Sequence, residues 1–125
     1  MDLGGSKKRA GDDISERLLD FAVRVIKLVN ALPKNIVGRH IAGQLIRSGT
    51  SCGSNYEESR GAESRADFIH KLGISLKEIK ESRFWLKVIF QSKIMKPEQI
   101  EPIIAECEEL SAIIAKSIIT AKANK

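Results

Sequence analysis

From Ile14 onward, apolar residues recur at three- and four-residue steps with polar residues between them, the period of an amphipathic helix. Ile14, Leu18, Phe21, Val25, Leu28 and Leu32 form a first stripe. Asp12 or Asp13 is placed to cap its start, and Pro33 closes it by disfavouring the helical conformation of the residue before it. A second stripe begins near Ile36 and continues through Ile41 and Leu45. The third, from Arg65 to about Lys93, carries Phe68, Leu72, Leu76, Ile79, Leu86 and Phe90. Ser64-Arg65-Ala66-Asp67 ahead of it is a variant of the Ser-x-x-acid capping box. The fourth stripe is Ile100, Ile103, Ile104, Cys107, Leu110, Ile114 and Ile118. Pro97 and Pro102 mark its entry, with Pro102 expected in the first turn, where its missing N–H does no harm. No alternating run predicts a strand. The pattern therefore predicts an all-α fold, an antiparallel up-down-up-down four-helix bundle over residues 13–123, after a disordered leader at 1–12.

The segment RSGTSCGSNYEESRG, residues 47–61, tests that reading because it has almost nothing to bury. Carried on from Leu45, the helical step lands on Ser48, Cys52, Asn55 or Tyr56, and Ser59. Ala42, Ile46, Gly49 and Gly53 form a parallel row. The stripe thus continues with small side chains, as it would where two helix backbones approach closely; a loop would keep no such phase. Glycine costs about 1 kcal/mol in a helix interior, which close packing must offset. Residues 36–59 are therefore one helix, bent if anywhere near Gly49, in which Ser48, Gly49, Cys52, Gly53 and Asn55 serve packing. Asn55 is expected to bond a side chain or backbone of a neighbouring helix. Gly61 is placed to end the helix as a C-terminal glycine. A phosphate-binding loop would need GxxxxGK[ST] after a strand, and neither is present.

Two helices carry more apolar surface than one core requires. Leu19, Val23 and Ile26 lie well away from the main stripe of the first helix, and Ile74, Trp85 and Val88, with Phe84 beside them, do the same on the third. A second copy of the chain is the simplest cover, so these seven residues are the candidate oligomer interface.

Composition agrees with a folded domain: 42% of residues are apolar and 30% charged. No apolar run approaches the ~20 residues needed to span a bilayer, and the basic N-terminus lacks the apolar stretch of a signal peptide, so a cytoplasmic protein is expected. Cys52 and Cys107 fit that compartment as reduced, buried thiols. The net charge of +5 is unevenly spread. Residues 33–47 carry Lys34, Arg39 and Arg47 and no acid; residues 68–96 carry seven Lys/Arg against Glu78 and Glu81; residues 97–115 carry five Glu and no base. Lys80, Arg83 and Lys87 recur at helical spacing and, with Lys34, Arg39 and Arg47, are candidates for a phosphate-facing surface. The alternative is a solvated surface whose charges pair between helices.

Residues for catalysis are sparse. His40 and His70 stand thirty residues apart without ligands at metal spacing, so neither a metal nor a cofactor is expected. Glu57, Glu58, Glu63 and Asp67 alternate with Arg60 and Arg65, as in a solvated turn. Arg65 and His70 form R-x4-H, a spacing that resembles the active-site pattern of HEPN ribonucleases, themselves helical bundles. Five residues along a helix place the two on different faces.

A longer resemblance runs through Gln44-Leu-Ile-Arg-Ser-Gly-Thr-Ser, Asn55-Tyr-Glu-Glu, Ala62-Glu-Ser-Arg-Ala-Asp-Phe-Ile-His-Lys-Leu and Glu81-Ser-Arg-Phe-Trp-Leu. These segments resemble the bacterial four-helix bundle proteins also called 23S rRNA intervening-sequence proteins, some of them encoded inside insertions in the large-subunit ribosomal RNA gene. The likeness covers Ile14 to about Lys122. Arg83-Phe-Trp-Leu-Lys is similar to helix 3 of a related protein, the accessory variability determinant of diversity-generating retroelements. That resemblance implies a homo-oligomer, a pentamer, with a basic surface engaging nucleic acid or a reverse transcriptase. It implies no catalytic residues and no small-molecule substrate. The expected function is thus that of a non-enzymatic oligomeric bundle binding RNA or a nucleoprotein. The rival readings are a protein-interaction module without nucleic acid and an R-x4-H ribonuclease.

Overall fold

The computed structural model describes Arg9 and residues 11–124. The leader expected over 1–12 lies outside the described residues apart from Arg9, Gly11 and Asp12. Four helices follow: α1 (Asp12–Asn30), α2 (Ile36–Arg60), α3 (Arg65–Gln91) and α4 (Pro97–Ala123). Helix α2 runs unbroken through Gly49 and Gly53, as the phase of its small residues predicts.

The helix ends are set by local chemistry. Asn35 caps α2 by accepting from the Gly38 N–H at 2.9 Å, and Ser64 caps α3 by accepting from the Asp67 N–H at 3.0 Å. At α4, the Gln99 side chain accepts from the Lys96 N–H at 3.1 Å and Pro97 takes the first helical position. Gly61 ends α2 as expected, at φ −100°. Two expectations need correcting. Neither Asp12 nor Asp13 caps α1: Gly11 does so with its backbone at φ 89°, which frees Asp12 to bond Arg60. Pro102 lies beyond the first turn, in the sixth position of α4, so one intrahelical bond is missing there.

Neighbouring helices pair in descending register. Asp12 and Leu18 of α1 meet Arg60 and Gly53 of α2; Ser48 and Cys52 of α2 meet Ser82 and Ser75 of α3; Cys107 of α4 meets Ile79 of α3; Arg17 of α1 meets Glu106 of α4. Phe68 of α3 also shares a cleft with Ser117 of α4, and Leu28 of α1 one with Ile103 of α4, so each pair is antiparallel and the bundle goes up, down, up, down around one core. The α2–α3 contact is the most extensive and α1–α4 the slightest.

Leu18, Phe21, Val25, Leu45, Leu72, Ile79, Leu86, Ile100, Leu110 and Ile114 are fully buried. The stripes of α1 and α4 hold, with Ile14, Ile104 and Ile118 half-buried at their margins. Those of α2 and α3 shift in detail. Ile36 is exposed and Gly38 is buried instead, because a Cβ on residue 38 would overlap the Pro33 carbonyl. On α3, Phe90 is exposed and Phe68 and Leu76 half-buried, while Ser75, Ser82 and Ile89 face the core. Asn55 is half-buried and donates to the Ser51 carbonyl of its own helix at 2.8 Å, not to a neighbouring helix as expected.

Candidate nucleic-acid interface

Helix α3 turns its inner face toward α2 and the core, which leaves Lys80, Arg83 and Lys87 on the side next to α4. Lys80 and Lys87 are exposed and Arg83 half-exposed. The positive charges of Arg83 and Lys87 reach the Cys107 thiol of α4, where they oppose the larger effect of burial; the thiol is still pushed up to about 12. Among the described residues none of the three basic side chains is ion-paired. Three unpaired cations on one stripe can follow a row of phosphates.

Arg47 behaves differently. Its guanidinium donates to Glu78 at 2.8 Å and also to Glu81, so it bridges α2 to α3. Both carboxylates thereby raise its pKa, led by Glu81, and Arg47 in turn lowers that of Glu81. Lys34 and Arg39 sit at the α1–α2 connection, where they donate to the carbonyls of Asn30 and Lys34 at 3.2 and 3.1 Å. The structure thus keeps Lys34 and Arg39 on one flank and Lys80, Arg83 and Lys87 on another, with Arg47 already in an internal ion pair.

The apolar candidates also divide. Leu19, Val23 and Ile26 are exposed on the outer side of the α1–α2 seam, joined by Ile46, which sequence reasoning placed with the packing row. Trp85 leans toward α2, its ring edge-on to His40 at 5.5 Å, and its indole N–H donates to Glu81 at 3.3 Å. Phe84 stands edge-on to Trp85 at 5.0 Å and is 58% exposed; Ile74 and Val88 are half-buried. One set lies beside each edge of α2.

Both cysteines are free and buried, and desolvation pushes the Cys52 thiol, like that of Cys107, up to about 12, which leaves neither a ready nucleophile. Among the described residues no group of His, Cys, Asp or Glu could hold a metal ion, and no helix is long and apolar enough to cross a membrane. Arg65 lines a cleft at the α2–α3 end of the bundle; His70 is exposed and stands outside it.

The family model described as 23S rRNA-intervening sequence protein matches residues 12–116, from the first residue of α1 to within two turns of the end of α4. The chain belongs to the 23S rRNA-intervening sequence protein family. The crystal structure of a protein of unknown function from the S23 ribosomal protein family, from Bacteroides thetaiotaomicron, is similar with a TM-score of 0.76 and 35% identity. The similarity covers 84% of this chain and 97% of that one. No curated protein matches the chain. Family membership accounts for the four-helix fold, and the similar structure, itself of unknown function, assigns no chemistry to it.

Proposed function

We propose that this family member is a non-enzymatic accessory protein that assembles into a homo-oligomer and binds RNA through Lys80, Arg83 and Lys87. The observation that carries the reading is the contrast between that stripe, three cations on one side of α3, and the arginines at the helix seams. Arg17, Arg47 and Arg60 each meet a carboxylate across a helix seam, whereas Lys80, Arg83 and Lys87 meet none among the described residues. Cations left unpaired on one side of a helix suit a partner that brings its own negative charge. The family name points to an RNA setting. Exposed Leu19, Val23, Ile26 and Ile46 on one face, and exposed Phe84 with half-buried Ile74, Trp85 and Val88 on another, favour a head-to-tail contact between copies, the kind that closes into a ring; a pentamer is the count implied by resemblance. A reverse transcriptase is the protein partner implied in the same way.

The test is RNA binding at several salt concentrations, with and without charge reversal. Wild-type affinity should fall steeply with salt, and K80E/R83E/K87E should make the slope shallower by about 2–3, at about 0.7–0.9 for each phosphate no longer neutralised. Unchanged affinity and slope in that variant would reject the stripe as the RNA-binding surface. Affinity indifferent to salt would favour the protein-interaction reading.

A further inference from the structure

Where α2 turns into α3 and α4 finishes, the bundle end holds a cleft of about 740 Å³. Its walls include Arg60, Arg65 and Lys116 and, among the described residues, no carboxylate. Arg60 is ion-paired with Asp12 at 2.5 Å, so its charge is met within the protein. Arg65 and Lys116 are exposed and, among the described residues, not ion-paired. Thr120 on the same wall has a hydroxyl without a hydrogen-bond partner among the described residues, whereas that of Ser117 donates to the Ile113 carbonyl at 3.1 Å. Half-buried Phe68 supplies an apolar wall and also borders an adjoining cleft lined by Ile14 and Tyr56, so the two spaces meet beside its ring.

Helix dipoles do not explain the charge of this end. Helices α1 and α3 begin here while α2 and α4 finish, so partial charges of opposite sign adjoin. The unmatched charge is that of two side chains. A phosphomonoester carries about −1.5 to −2 near pH 7 and matches both, whereas a carboxylate would leave one cation over. The volume exceeds what a bare phosphate needs and falls within the roughly 300–1,000 Å³ of small-ligand pockets. An apolar ring in the wall offers nothing to an inorganic ion but gives a base a face to stack on.

We propose that this cleft binds a nucleoside monophosphate group, its base against Phe68 and its phosphate between Arg65 and Lys116. The group could be a free nucleotide or the phosphorylated end of a strand. The site is separate from the α3 stripe, since Lys80 lies roughly 22 Å along the helix axis from Arg65. It also departs from the expectation that no small molecule is involved, because the cleft exists only once the α2–α3 turn and the end of α4 come together.

Calorimetric titration of the full chain with AMP, adenosine and inorganic phosphate tests the assignment. AMP should bind, adenosine and inorganic phosphate each at least about tenfold more weakly, and R65E or K116E should weaken AMP by about tenfold or more. K80E/R83E/K87E should leave AMP binding unchanged, so failure of this site and failure of the α3 stripe are distinguishable. Comparing 5′-phosphorylated and 5′-hydroxyl oligoribonucleotides identifies the source. A phosphate-dependent, R65E-sensitive gain over AMP assigns a strand end, and sensitivity confined to AMP assigns a free nucleotide. R65Q and K116Q provide the same readout should either charge reversal fail to fold. Absence of AMP binding, or AMP binding that these variants leave unchanged, would overturn the site; inorganic phosphate binding as tightly as AMP would overturn the place given to Phe68.

Discussion

Helix α2 meets its two neighbours by opposite means. Toward α1 it presents Gly49 and Gly53, and the helices close until a Cβ on residue 49 would lie 2.9 Å from the Val25 methyls and one on residue 53 would lie 3.3 Å from the Leu18 Cβ. Toward α3 it presents hydroxyls and a charge. The Ser48 and Ser82 hydroxyls bond each other at 2.9 Å, Ser75 donates to the Cys52 carbonyl at 2.7 Å and Ser51 to Glu78 at 2.9 Å, and Arg47 spans Glu78 and Glu81. The first seam gains from dispersion and close approach, which reward proximity but tolerate sliding. The second gains from directional bonds that fit in one register only. One helix thus takes compactness from one side and alignment from the other, and its sequence looks impoverished because both tasks call for small residues.

The largest expected effect lies at the entrance to the apolar seam. Gly38 sits under the Pro33 carbonyl with no room for a side chain, in the turn that brings α2 back along α1. Because the obstruction is backbone, rotamer changes cannot relieve it. G38A should cost about 3 kcal/mol or more, a sizeable share of the ~5–15 kcal/mol that holds a domain together. A chemical-denaturation midpoint equal to wild type would show that the turn gives way and that the seam does not depend on it.

Gly49 should give a smaller and more instructive result. Alanine gains about 1 kcal/mol of helix propensity over glycine, but here its methyl enters the space of Val25, and overpacking costs about 1–3 kcal/mol. G49A should therefore destabilise modestly. In a V25A background the obstacle is gone and the same change should stabilise, giving a coupling of at least about 1 kcal/mol in a double-mutant cycle. Gly43 is the internal control: a Cβ there would meet nothing within 4 Å, so G43A should stabilise by about 0.5–1 kcal/mol. Additive effects of G49A and V25A would mean that the glycine serves no close approach.

These glycines show what was legible in the sequence. Helix periodicity placed all four elements, and the phase of Ser48, Cys52 and Ser59 with Leu45 carried α2 through a segment that composition alone would make a loop. Ser75 and Ser82 escaped that reasoning because a hydrophobic pattern has no term for a buried hydroxyl whose partner lies on another helix, as Ser48 does for Ser82. Phe90 was misplaced for the related reason that apolarity marks what can be buried, not what is. Of the basic candidates, sequence spacing put Lys80, Arg83 and Lys87 on one side of α3. It could not separate Arg47 from them, since its pairing with Glu78 and Glu81 depends on which two helices are neighbours. The cleft around Arg65 and Lys116 was invisible for the same reason.

The polar seam offers the finest comparison, a difference between two single variants that tests whether its bonds align the helices or merely satisfy one another. The Ser82 hydroxyl is bonded twice, to Ser48 and to the Glu78 carbonyl at 3.1 Å, whereas the Ser48 hydroxyl has Ser82 as its side-chain partner. Removing Ser48 should leave Ser82 with its carbonyl and cost about 0.5 kcal/mol; removing Ser82 leaves Ser48 buried without that partner and should cost about 1–2 kcal/mol. The double variant should recover most of the difference, because no hydroxyl then remains to be desolvated for nothing. Its thermal stability would lie near that of S48A, while amide exchange across α2 and α3 should quicken if the pair also fixes register. Equal costs for the two single variants would mean that the pair is interchangeable, and the distinction between a seam that compacts and a seam that aligns would lose its sharpest support.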